Sequence, residues 1–369
     1  MNKMSPELAT IKIADISNEI YVLFLVVTTD CMFACKYCFV RKNPSYMAWG
    51  TAKKAIELLI KTKGKKKLLK IYGGEPLMNF SLIRKIVPYA EKLALEHRKT
   101  LTVTICSNMV LFDTENLKFI KNHNISLALS SDGNPRSHNL NRRFKAGKES
   151  AGIIEEKLGL LLKRINKEKL AVNLTVPREI VSSLYVNFKY IISLGIDTLN
   201  IEPIMTDNWK KEERELFKRE YAKILKFIIK NIDKNNFLFI TQINRELKYN
   251  EVSEMMEGDC ILKRNIIVST NGDLHLNVFA AYSDKYKKEK CVGNVNGAIA
   301  GKYFACVNRD SEVCRECLLE YSKNLKKINS PNDIRSSLTL VATRAISENS
   351  KKNLAFTKYT KQAKRHICF

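Results

Sequence analysis

Short apolar segments alternate with longer amphipathic segments from residue 20 to about residue 235. Six of the short segments, apolar and in most cases with several β-branched residues, are predicted strands: IYVLFLVV, KLLKIYG, LTVTICS, ISLALSS, LAVNLTV and TLNIEPI. Six predicted helices follow them in turn: TAKKAIELLIKTK, SLIRKIVPYAEKLALEH, TENLKFIKN, SAGIIEEKLGLLLKRI, LYVNFKYIISLG and KKEERELFKREYAKILKFIIKNI. Strands that alternate with helices form right-handed crossovers between parallel neighbours. The sequence therefore predicts an α/β fold with a parallel sheet, either barrel-like or doubly wound.

The loops after the predicted strands carry most of the residues with recognisable chemistry. They begin with TTDC, GGEP, SNM, SDGNPRSH, PRE and EPIM. In parallel α/β architectures, ligands bind at the edge of the sheet where the strands end. We therefore expect the functional site at this edge, with the first loop at its mouth.

Three cysteines stand in that first loop, in the stretch TTDCMFACKYCFV. Cys31, Cys35 and Cys38 have the spacing CxxxCxxC, and Tyr37 directly precedes the third cysteine. Three thiols are an odd number for disulfides and one ligand short of a closed tetrahedral zinc site. Soft thiolates at close spacing suit zinc or an iron–sulfur cluster. A cubane cluster held by three thiolates leaves one iron open to a small molecule, and a zinc element is the alternative.

The composition favours metal chemistry over a disulfide framework. The chain of 369 residues has a mean hydropathy of −0.22 and lacks a secretion signal. Its longest apolar runs, such as IYVLFLVV, are far shorter than the roughly 20 residues of a membrane helix. We therefore expect a cytoplasmic protein with no membrane segment. In a reducing compartment, the ten cysteines are more consistent with metal binding or catalysis than with disulfides.

The net charge of +25 is compatible with an acidic partner such as a nucleic acid. Lysines are spread over the whole chain, however, with local runs at KTKGKKK and KYKKEK. No arginine-rich or aromatic-interleaved recognition motif accompanies them. A lysine-rich solvated surface is therefore the favoured interpretation, and nucleic acid is the less favoured partner.

The cysteine loop resembles that of the radical S-adenosylmethionine (radical SAM) superfamily. In that family the open iron of a 4Fe–4S cluster chelates the amino and carboxylate groups of SAM. Electron transfer then cleaves the sulfonium to methionine and a 5′-deoxyadenosyl radical, which abstracts a hydrogen atom from the substrate. The resemblance implies that Cys31, Cys35 and Cys38 hold this cluster and that Tyr37 lies against the adenine. It also implies a partial (β/α)6 TIM-like barrel over residues 20–235.

Two further loops match the same family. The second predicted strand runs into the family's GGEP segment, here Gly73, Gly74, Glu75 and Pro76. Glycines let a backbone approach a ligand closely, and a carboxylate offers the SAM ammonium a charge-assisted hydrogen bond. After the third strand, Ser107 and Asn108 stand where relatives carry polar groups near the methionine or the ribose. Met109 follows them in place of the usual glycine.

The loop after the fourth strand, SSDGNPRSHNLNRRFKAGK, is similar to the S-x-D-G and H-D-x-x-R pattern of sulfatase-maturase-like members. The matching residues are Ser130, Asp132, Gly133, His138 and Arg142. Asn139 replaces the usual aspartate. By this resemblance Ser130 and Arg142 hold the SAM carboxylate, a task for which the planar guanidinium is suited.

A second group of cysteines indicates a small metal-bound module at residues 236–325. The stretch NIIVSTNGDLHLNV predicts a β-hairpin with an NG turn, and five thiols surround it: Cys260, Cys291, Cys306, Cys314 and Cys317. Their order resembles the SPASM extension or the shorter twitch extension, which hold auxiliary iron–sulfur clusters. Two clusters need about eight ligands, so one auxiliary cluster is expected. A zinc site and a metal-free remnant are the alternatives.

The hairpin departs from the extension's pattern at one position. Asn277 stands where the hairpin cysteine is expected. We expect the strand that returns from the hairpin to carry Cys291 beside Asn277 as its substitute. Residues 1–19 form an N-terminal segment, and residues 326–369 form a basic tail that is helical or partly disordered.

A sulfatase-maturase-like core with such an extension implies an enzyme that modifies a ribosomally made peptide or protein. Crosslinking, epimerisation and oxidation are the reactions of such relatives, and the cluster needs a reductant such as flavodoxin or ferredoxin. The 30 residues before Cys31 are too few for a leader-binding domain, so a leader is expected on the basic tail or on a separate partner protein. The alternatives are the same chemistry on RNA or a small metabolite, and a non-catalytic zinc-stabilised binding module.

Overall fold

A mostly parallel sheet is the centre of the fold. The structure, a computed structural model, describes residues 10–11, 20–40, 43–204, 209–244, 247, 265–275, 291–297, 299–300, 331–350 and 353–363. Its strands are β1 (Thr10–Ile11), β2 (Val22–Thr28), β3 (Lys66–Gly73), β4 (Thr100–Ser107), β5 (Ser126–Ser131), β6 (Leu170–Val176), β7 (Thr198–Pro203), β8 (Phe239–Ile240), β9 (Asn265–Val268), β10 (Asp273–His275), β11 (Cys291–Asn294) and β12 (Ile299–Ala300).

The described strands form one sheet in the order β1-β12-β11-β10-β9-β2-β3-β4-β5-β6-β7-β8. The strands from β9 to β8 in this order are parallel neighbours, and the other four pair antiparallel. The terminal strands β1 and β8 are not paired with each other, so the sheet is an open, partial barrel. The predicted α/β class and partial barrel are confirmed, and β2 to β7 are the six predicted strands.

Helices cover one face of this sheet. Those in the described ranges are α1 (Trp49–Lys61), α2 (Phe80–Glu96), α3 (Thr114–Asn122), α4 (Pro135–Asn141), α5 (Ala151–Arg164), α6 (Leu184–Ser193), α7 (Lys211–Ile232), α8 (Pro331–Ser350) and α9 (Leu354–Ala363). Short 3-10 turns lie at Pro76–Asn79, Lys167–Lys169 and Arg178–Ser183. None of the helices in these ranges combines the length and the apolar character needed to cross a membrane.

Helix α4 is the element that the hydrophobic pattern does not predict. The Asn134 side chain caps it by accepting a hydrogen bond from the Ser137 backbone N–H at 3.0 Å, and Pro135 begins it. Its buried positions are polar, including His138 and Asn139. A helix that buries polar residues has no apolar periodicity, so only its cap signal was visible in the sequence.

The two faces of the parallel sheet differ in character. Alternate residues along the strands pack under the helices in the main core, for example Leu69, Ile105, Leu129 and Leu174. The residues between them point to the opposite, concave face, because side chains alternate along a strand. At the ends of the strands this concave face carries half-buried polar side chains. The sheet is thus apolar under the helices, and its concave face is polar at β6 and β7 but carries a small apolar cluster, with Val26 and Ile267, at β2 and β9.

Helices α8 and α9 pack onto the end of the barrel rather than extending away from it. The hydroxyl groups of Tyr221 on α7 and Thr339 on α8 are hydrogen-bonded at 2.8 Å. The ring of Tyr359 on α9 is fully buried and stacks on Phe239 of β8, with ring centroids 5.2 Å apart. Residues near both ends of the predicted 326–369 segment therefore contribute to the main core.

The two buried tyrosines give a test of this packing. We expect Tyr221→Phe to lower the free energy of unfolding by about 1 kcal/mol, since it removes a buried hydrogen bond. The Tyr359 hydroxyl has no hydrogen-bond partner among the described residues, so Tyr359→Phe should leave the free energy unchanged or raise it by about 1 kcal/mol. Urea denaturation of both variants, with Tyr359→Ala as the control that should lose about 3–5 kcal/mol, measures the difference. Equal losses in the two phenylalanine variants would contradict the packing.

Candidate functional site

The loop that carries the first three cysteines follows β2 and is held by the segment 141–145 after α4. The backbone N–H of Ala34 donates to the carbonyl oxygen of Arg143 at 2.8 Å. Phe33 and Phe144 form an isolated antiparallel bridge, and their rings pack edge to face with centroids 4.9 Å apart. The loop thus has a fixed backbone path that is set by contacts more than 100 residues away in the chain.

The three sulfurs are not all as close together as the ligand atoms of one ion. Around a single tetrahedral zinc, with Zn–S bonds of about 2.3 Å, sulfurs lie about 3.8 Å apart. Among the described residues, one group of three metal-binding side chains has all its ligand atoms within 4.8 Å of one another, and that group does not include these cysteines. At least two of the sulfurs of Cys31, Cys35 and Cys38 are therefore farther apart than 4.8 Å. The Cys31 sulfur also accepts hydrogen bonds from the Phe33 N–H at 3.4 Å and from the Asn108 side chain at 3.6 Å. Such bonds to sulfur tune iron–sulfur clusters.

The thiols of Cys31 and Cys35 are more buried than that of Cys38 and favour the protonated form until a metal binds. Burial raises the pKa of Cys31 to about 11 and that of Cys35 to about 12. Nearby carboxylates, Glu75 for Cys31 and Asp132 for Cys35, add to the rise in pKa. Metal coordination deprotonates thiols, so cluster insertion at this loop releases protons.

Gly73 and Gly74 bring the end of β3 into direct backbone contact with the cysteine loop. A Cβ atom on Gly73 would lie 2.3 Å from the carbonyl oxygen of Thr28, and one on Gly74 would lie 2.2 Å from that of Asp30. The Gly74 N–H donates to the Thr28 oxygen at 2.9 Å, and the Glu75 N–H donates to the Asp30 oxygen at 2.7 Å. The close approach expected of these glycines is therefore made first to the chain's own backbone.

Glu75 joins the ends of β3 and β4. Its carboxylate, fully buried, accepts hydrogen bonds from the Leu77 N–H at 3.1 Å, the Ser107 hydroxyl at 2.9 Å and the Asn108 N–H at 2.7 Å. Burial raises the pKa of Glu75 to about 7, and these three hydrogen bonds oppose the rise. The buried carboxylate thus fixes the ends of β3 and β4 relative to each other. Pro76 is buried directly after it, at the start of the 3-10 turn.

Met109 adopts the backbone conformation that its glycine counterpart would favour. Its φ angle is +75°, in the left-handed region, and its side chain is fully buried in the core. The left-handed conformation costs a non-glycine residue about 1–2 kcal/mol, and burial of the methionine side chain offsets this by about 1.5–3 kcal/mol. Ser107 and Asn108 are thus followed by a left-handed residue, a conformation that glycine adopts without strain.

A buried ion pair connects the cysteine loop to the ends of β5 and β6. The Tyr37 hydroxyl donates to both oxygens of Asp132, at 2.8 and 2.6 Å. The Arg142 Nε donates to Asp132 at 2.8 Å, and its Nη2 donates to the Thr175 hydroxyl at 3.0 Å. Burial alone would lower the pKa of Arg142, but the Asp132 carboxylate more than offsets this, and the pKa lies well above its usual value.

This pairing fixes two residues that the resemblance assigned to SAM. The Arg142 guanidinium also lies over the Tyr37 ring, 5.3 Å from its centroid. Both side chains are therefore anchored by Asp132 and by each other, directly beside the cysteine loop. Ser130 is half-buried near the end of β5, in register with Asn173 of β6. The Arg142 donors not used by Asp132 and Thr175 remain for a carboxylate ligand.

The structure adds a row of polar residues on the concave face that the motifs did not identify. Ser130 of β5, Asn173 of β6 and Asn200 of β7 are register partners on adjacent strands. Thr175 and Glu202 form the next pair along the same face. The alternation of polar and apolar residues in LAVNLTV and TLNIEPI is the sequence signal that could have identified this row.

The second cysteine region is described in part. The predicted hairpin is present as β9 and β10, and β9 pairs parallel with β2, so the hairpin is continuous with the core sheet. Cys291 on β11 lies opposite His275, two residues before the expected partner Asn277. Asn277 and four expected ligands lie outside the described residues: Cys260, Cys306, Cys314 and Cys317.

Comparison with known proteins identifies the core. Residues 25–181 match the Radical SAM superfamily. This part of the chain is a radical SAM domain. Enzymes of this family use S-adenosylmethionine and a 4Fe–4S cluster, and the three thiols, with two hydrogen bonds to the Cys31 sulfur, are suitable ligands for it. Membership also sets aside the interpretation as a non-catalytic zinc module.

Two curated relatives and one solved structure show which radical SAM enzymes are similar. The radical SAM cyclopropyl synthase TigE of Paramaledivibacter caminithermalis is 26% identical over 44% of this chain and 36% of its own length. The serine-type anaerobic sulfatase-maturating enzyme of Bacteroides thetaiotaomicron is 28% identical over 41% of this chain and 38% of its own. The structure of anSMEcpe with bound AdoMet and Cp18Cys peptide has a TM-score of 0.66 at 16% identity, covering 81% of this chain and 82% of that chain. The alignments therefore span little more than a third of the two curated relatives, and the solved structure shows the fold.

The left-handed Met109 gives a prediction about this turn. We expect Met109→Gly to be more stable than Met109→Ala by up to about 1 kcal/mol, because glycine relieves the backbone strain that alanine keeps. Urea denaturation under anaerobic conditions measures both free energies of unfolding. Leu117 is a buried control in helix α3, where the order should reverse and alanine should be the better residue by about 1 kcal/mol. The same order at both positions would contradict the assignment of strain.

The buried ion pair gives a second prediction. Asp132→Asn keeps the shape of the side chain but leaves the buried Arg142 guanidinium without its counter-charge, so the free energy of unfolding should fall by about 3–5 kcal/mol. Glu57→Gln is the control, because Glu57 pairs with Lys61 at 3.1 Å at a more exposed site and should lose less than about 1 kcal/mol. If Asp132→Asn and Glu57→Gln lose the same free energy of unfolding to within about 0.5 kcal/mol, the Asp132 pair is not buried as described.

Proposed function

We propose that this radical SAM enzyme modifies a peptide or protein, by crosslinking, epimerisation or oxidation. The observation that carries the proposal is the polar concave face that runs from the cysteine loop across β5, β6 and β7. Ser130, Asn173, Thr175 and Glu202 are half-buried there, at the strand ends. An open barrel leaves this face accessible to an extended chain.

The side chains of this face suit the groups that a peptide presents. Amide side chains such as Asn173 both donate and accept hydrogen bonds, and so do the hydroxyls of Ser130 and Thr175. A peptide backbone offers alternating N–H and C=O groups, so it needs both kinds of partner. A nucleic acid instead requires a row of cations along its phosphates, whereas this row contains the carboxylate Glu202.

Residues next to the cysteine loop have the chemistry to position the cofactor. When bound, SAM and the cluster supply a 5′-deoxyadenosyl radical that abstracts hydrogen. Glu75 holds the ends of β3 and β4 in place beside the loop, and Arg142 offers donors to the SAM carboxylate. The backbone contact of Gly73 and Gly74 with the loop holds these two groups in a fixed relation to the cysteines.

The similar proteins support a peptide substrate. The relative TigE is named a cyclopropyl synthase, the Bacteroides relative a sulfatase-maturating enzyme, and anSMEcpe is seen with a bound peptide. We further propose that an external reductant such as flavodoxin or ferredoxin supplies the electron, and that a leader binds outside the described core.

The test is anaerobic incubation of the protein with SAM, dithionite and short precursor peptides encoded beside its gene. We expect 5′-deoxyadenosine, and a peptide product that has lost two hydrogens or, for epimerisation, gained one deuterium in D2O. The triple change of Cys31, Cys35 and Cys38 to Ala should abolish both products. No 5′-deoxyadenosine from reconstituted wild type would refute the enzyme assignment.

Variants of the concave face separate peptide binding from cofactor chemistry. Asn173→Ala combined with Glu202→Gln should reduce kcat/KM for the peptide by at least about tenfold, or about 1.4 kcal/mol. Formation of 5′-deoxyadenosine without peptide should not change. Glu156→Gln, at an exposed position of α5, is the matched control. Equal peptide turnover in all three proteins would remove the concave face as the substrate site.

The +25 charge keeps RNA as the competing substrate. Nanomolar binding of an RNA, with an affinity that falls steeply as salt rises, together with turnover of that RNA and not of peptides, would favour it. Indifference to RNA would leave the peptide proposal in place.

A further inference from the structure

Three side chains with metal-binding atoms meet on the hairpin at the edge of the sheet. Asp273 and His275 lie on β10 and Cys291 lies on β11. One donor atom from each, a carboxylate oxygen, an imidazole nitrogen and the thiol sulfur, lies within 4.8 Å of the other two. This is the group of three within the described ranges that meets that distance.

The strand geometry explains why these three residues converge. Asp273 and His275 are two residues apart and therefore point to the same face of β10. Cys291 is the direct register partner of His275 on the antiparallel strand β11, and register partners have their Cβ atoms about 4.5–5.5 Å apart. A register shift occurs between Leu274 and His275, and such irregularities often re-aim side chains.

The spacing fits a single ion rather than a cluster. A tetrahedral zinc with bonds of about 2.0–2.3 Å to nitrogen, oxygen and sulfur places its ligand atoms about 3.4–3.8 Å apart. The cysteines of the first loop are more widely spread than the 4.8 Å that contains this group. Thiolate, imidazole and carboxylate are the three protein ligand types that zinc takes.

The carboxylate of this group is oriented by its neighbours. The Asn271 side-chain amide donates to one oxygen of Asp273 at 2.8 Å, and the Asn294 amide donates to the other at 2.8 Å. Hydrogen bonds of this kind fix ligating carboxylates in metal sites. Gly272 in the turn has a φ angle of +91°, and a Cβ atom there would lie 2.8 Å from the Asn296 side chain, so the hairpin is closely packed around the site.

The group is accessible from one side. His275 is fully buried, Asp273 is half-buried, and Cys291 is exposed. His275 is in register with Ile267 of β9, and Ile267 is in register with Phe24 of β2. The three side chains therefore lie on the same concave face as the cysteine loop, at the hairpin edge.

We propose that Asp273, His275 and Cys291 form a mononuclear zinc site, separate from both iron–sulfur clusters. Three protein ligands leave one coordination position for water or another donor. The site connects β10 to β11 and stiffens the hairpin edge of the concave face. If Cys291 binds zinc, the remaining thiols of the second region are four, the ligand number of one 4Fe–4S cluster: Cys260, Cys306, Cys314 and Cys317.

The test is metal analysis of the full chain, purified anaerobically and supplied with zinc and iron. Wild type should contain about one zinc and about eight irons, four for each of two clusters. His275→Ala and Cys291→Ser should each lose the zinc and keep the iron. His97→Ala, at an exposed histidine after α2, is the matched control and should keep both metals.

Two outcomes would overturn the proposal. Zinc content that is the same in wild type and both variants would place zinc elsewhere or nowhere. Loss of about four irons in His275→Ala or Cys291→Ser would assign these side chains to the auxiliary cluster instead. The zinc and iron contents depend neither on SAM cleavage nor on a peptide. A failure of the zinc proposal can therefore be told apart from a failure of the proposed function.

A spectroscopic measurement guards against variants that fail to fold. Co2+ added to zinc-depleted wild type should give a thiolate-to-cobalt charge-transfer band. Asp273→Asn, which is nearly isosteric, should retain the band but bind Co2+ at least about tenfold more weakly, as is usual when one ligand is altered. No such band in folded wild type would refute the site.

Discussion

The contact between two backbones, at the ends of β2 and β3, is the constraint on which the rest of the site depends. No side chain can lie between Gly73 or Gly74 and the carbonyl oxygens of Thr28 and Asp30. Because the strands meet so closely, the Glu75 N–H reaches the Asp30 oxygen, and its carboxylate reaches the end of β4. The cysteine loop therefore begins from a fixed point, and its direction is set before any metal binds.

A second constraint is electrostatic. Asp132 and Arg142 are both buried, and taking two charges out of water is unfavourable unless they pair closely and satisfy their remaining hydrogen-bonding groups. Tyr37 and Thr175 supply further hydrogen bonds to the pair, which tie the cysteine loop, the β5 end and the β6 end together. A hydrogen-bonded polar network of this kind favours one arrangement. The buried pair thus fixes the relative positions of the cysteine loop and the two strand ends.

Much of the fold could be predicted from the sequence, and the reasons are local. Hydrophobic periodicity predicts strands β2 to β7 and the helices between them, because one face of each is buried in a common core. Helix α4 was not predicted, because its buried face is polar and includes His138 and Asn139. The pairing of β9 with β2 was not predicted either. The hydrophobic pattern of a strand does not indicate which distant strand lies beside it.

The candidate site divides in the same way. The motifs identified Cys31, Glu75 and Arg142 because each motif is a short stretch of sequence. The alternation of polar and apolar residues in β6 and β7 is also visible in the sequence, but it does not show that these polar residues line the concave face. The geometry of the Asp273, His275 and Cys291 group was not available from any motif, since it depends on which residues face each other across two strands.

The sequence by itself determined the alternation of strands and helices, and the cluster-type spacing of three thiols in one loop. These follow from side-chain chemistry and from distances along a few residues of chain. Only the tertiary structure decided that Met109 takes a glycine conformation, that Asp132 holds Arg142 and Tyr37, and that the hairpin edge joins the core sheet. Those features depend on burial and on contacts between residues distant in the chain, and local sequence does not encode either.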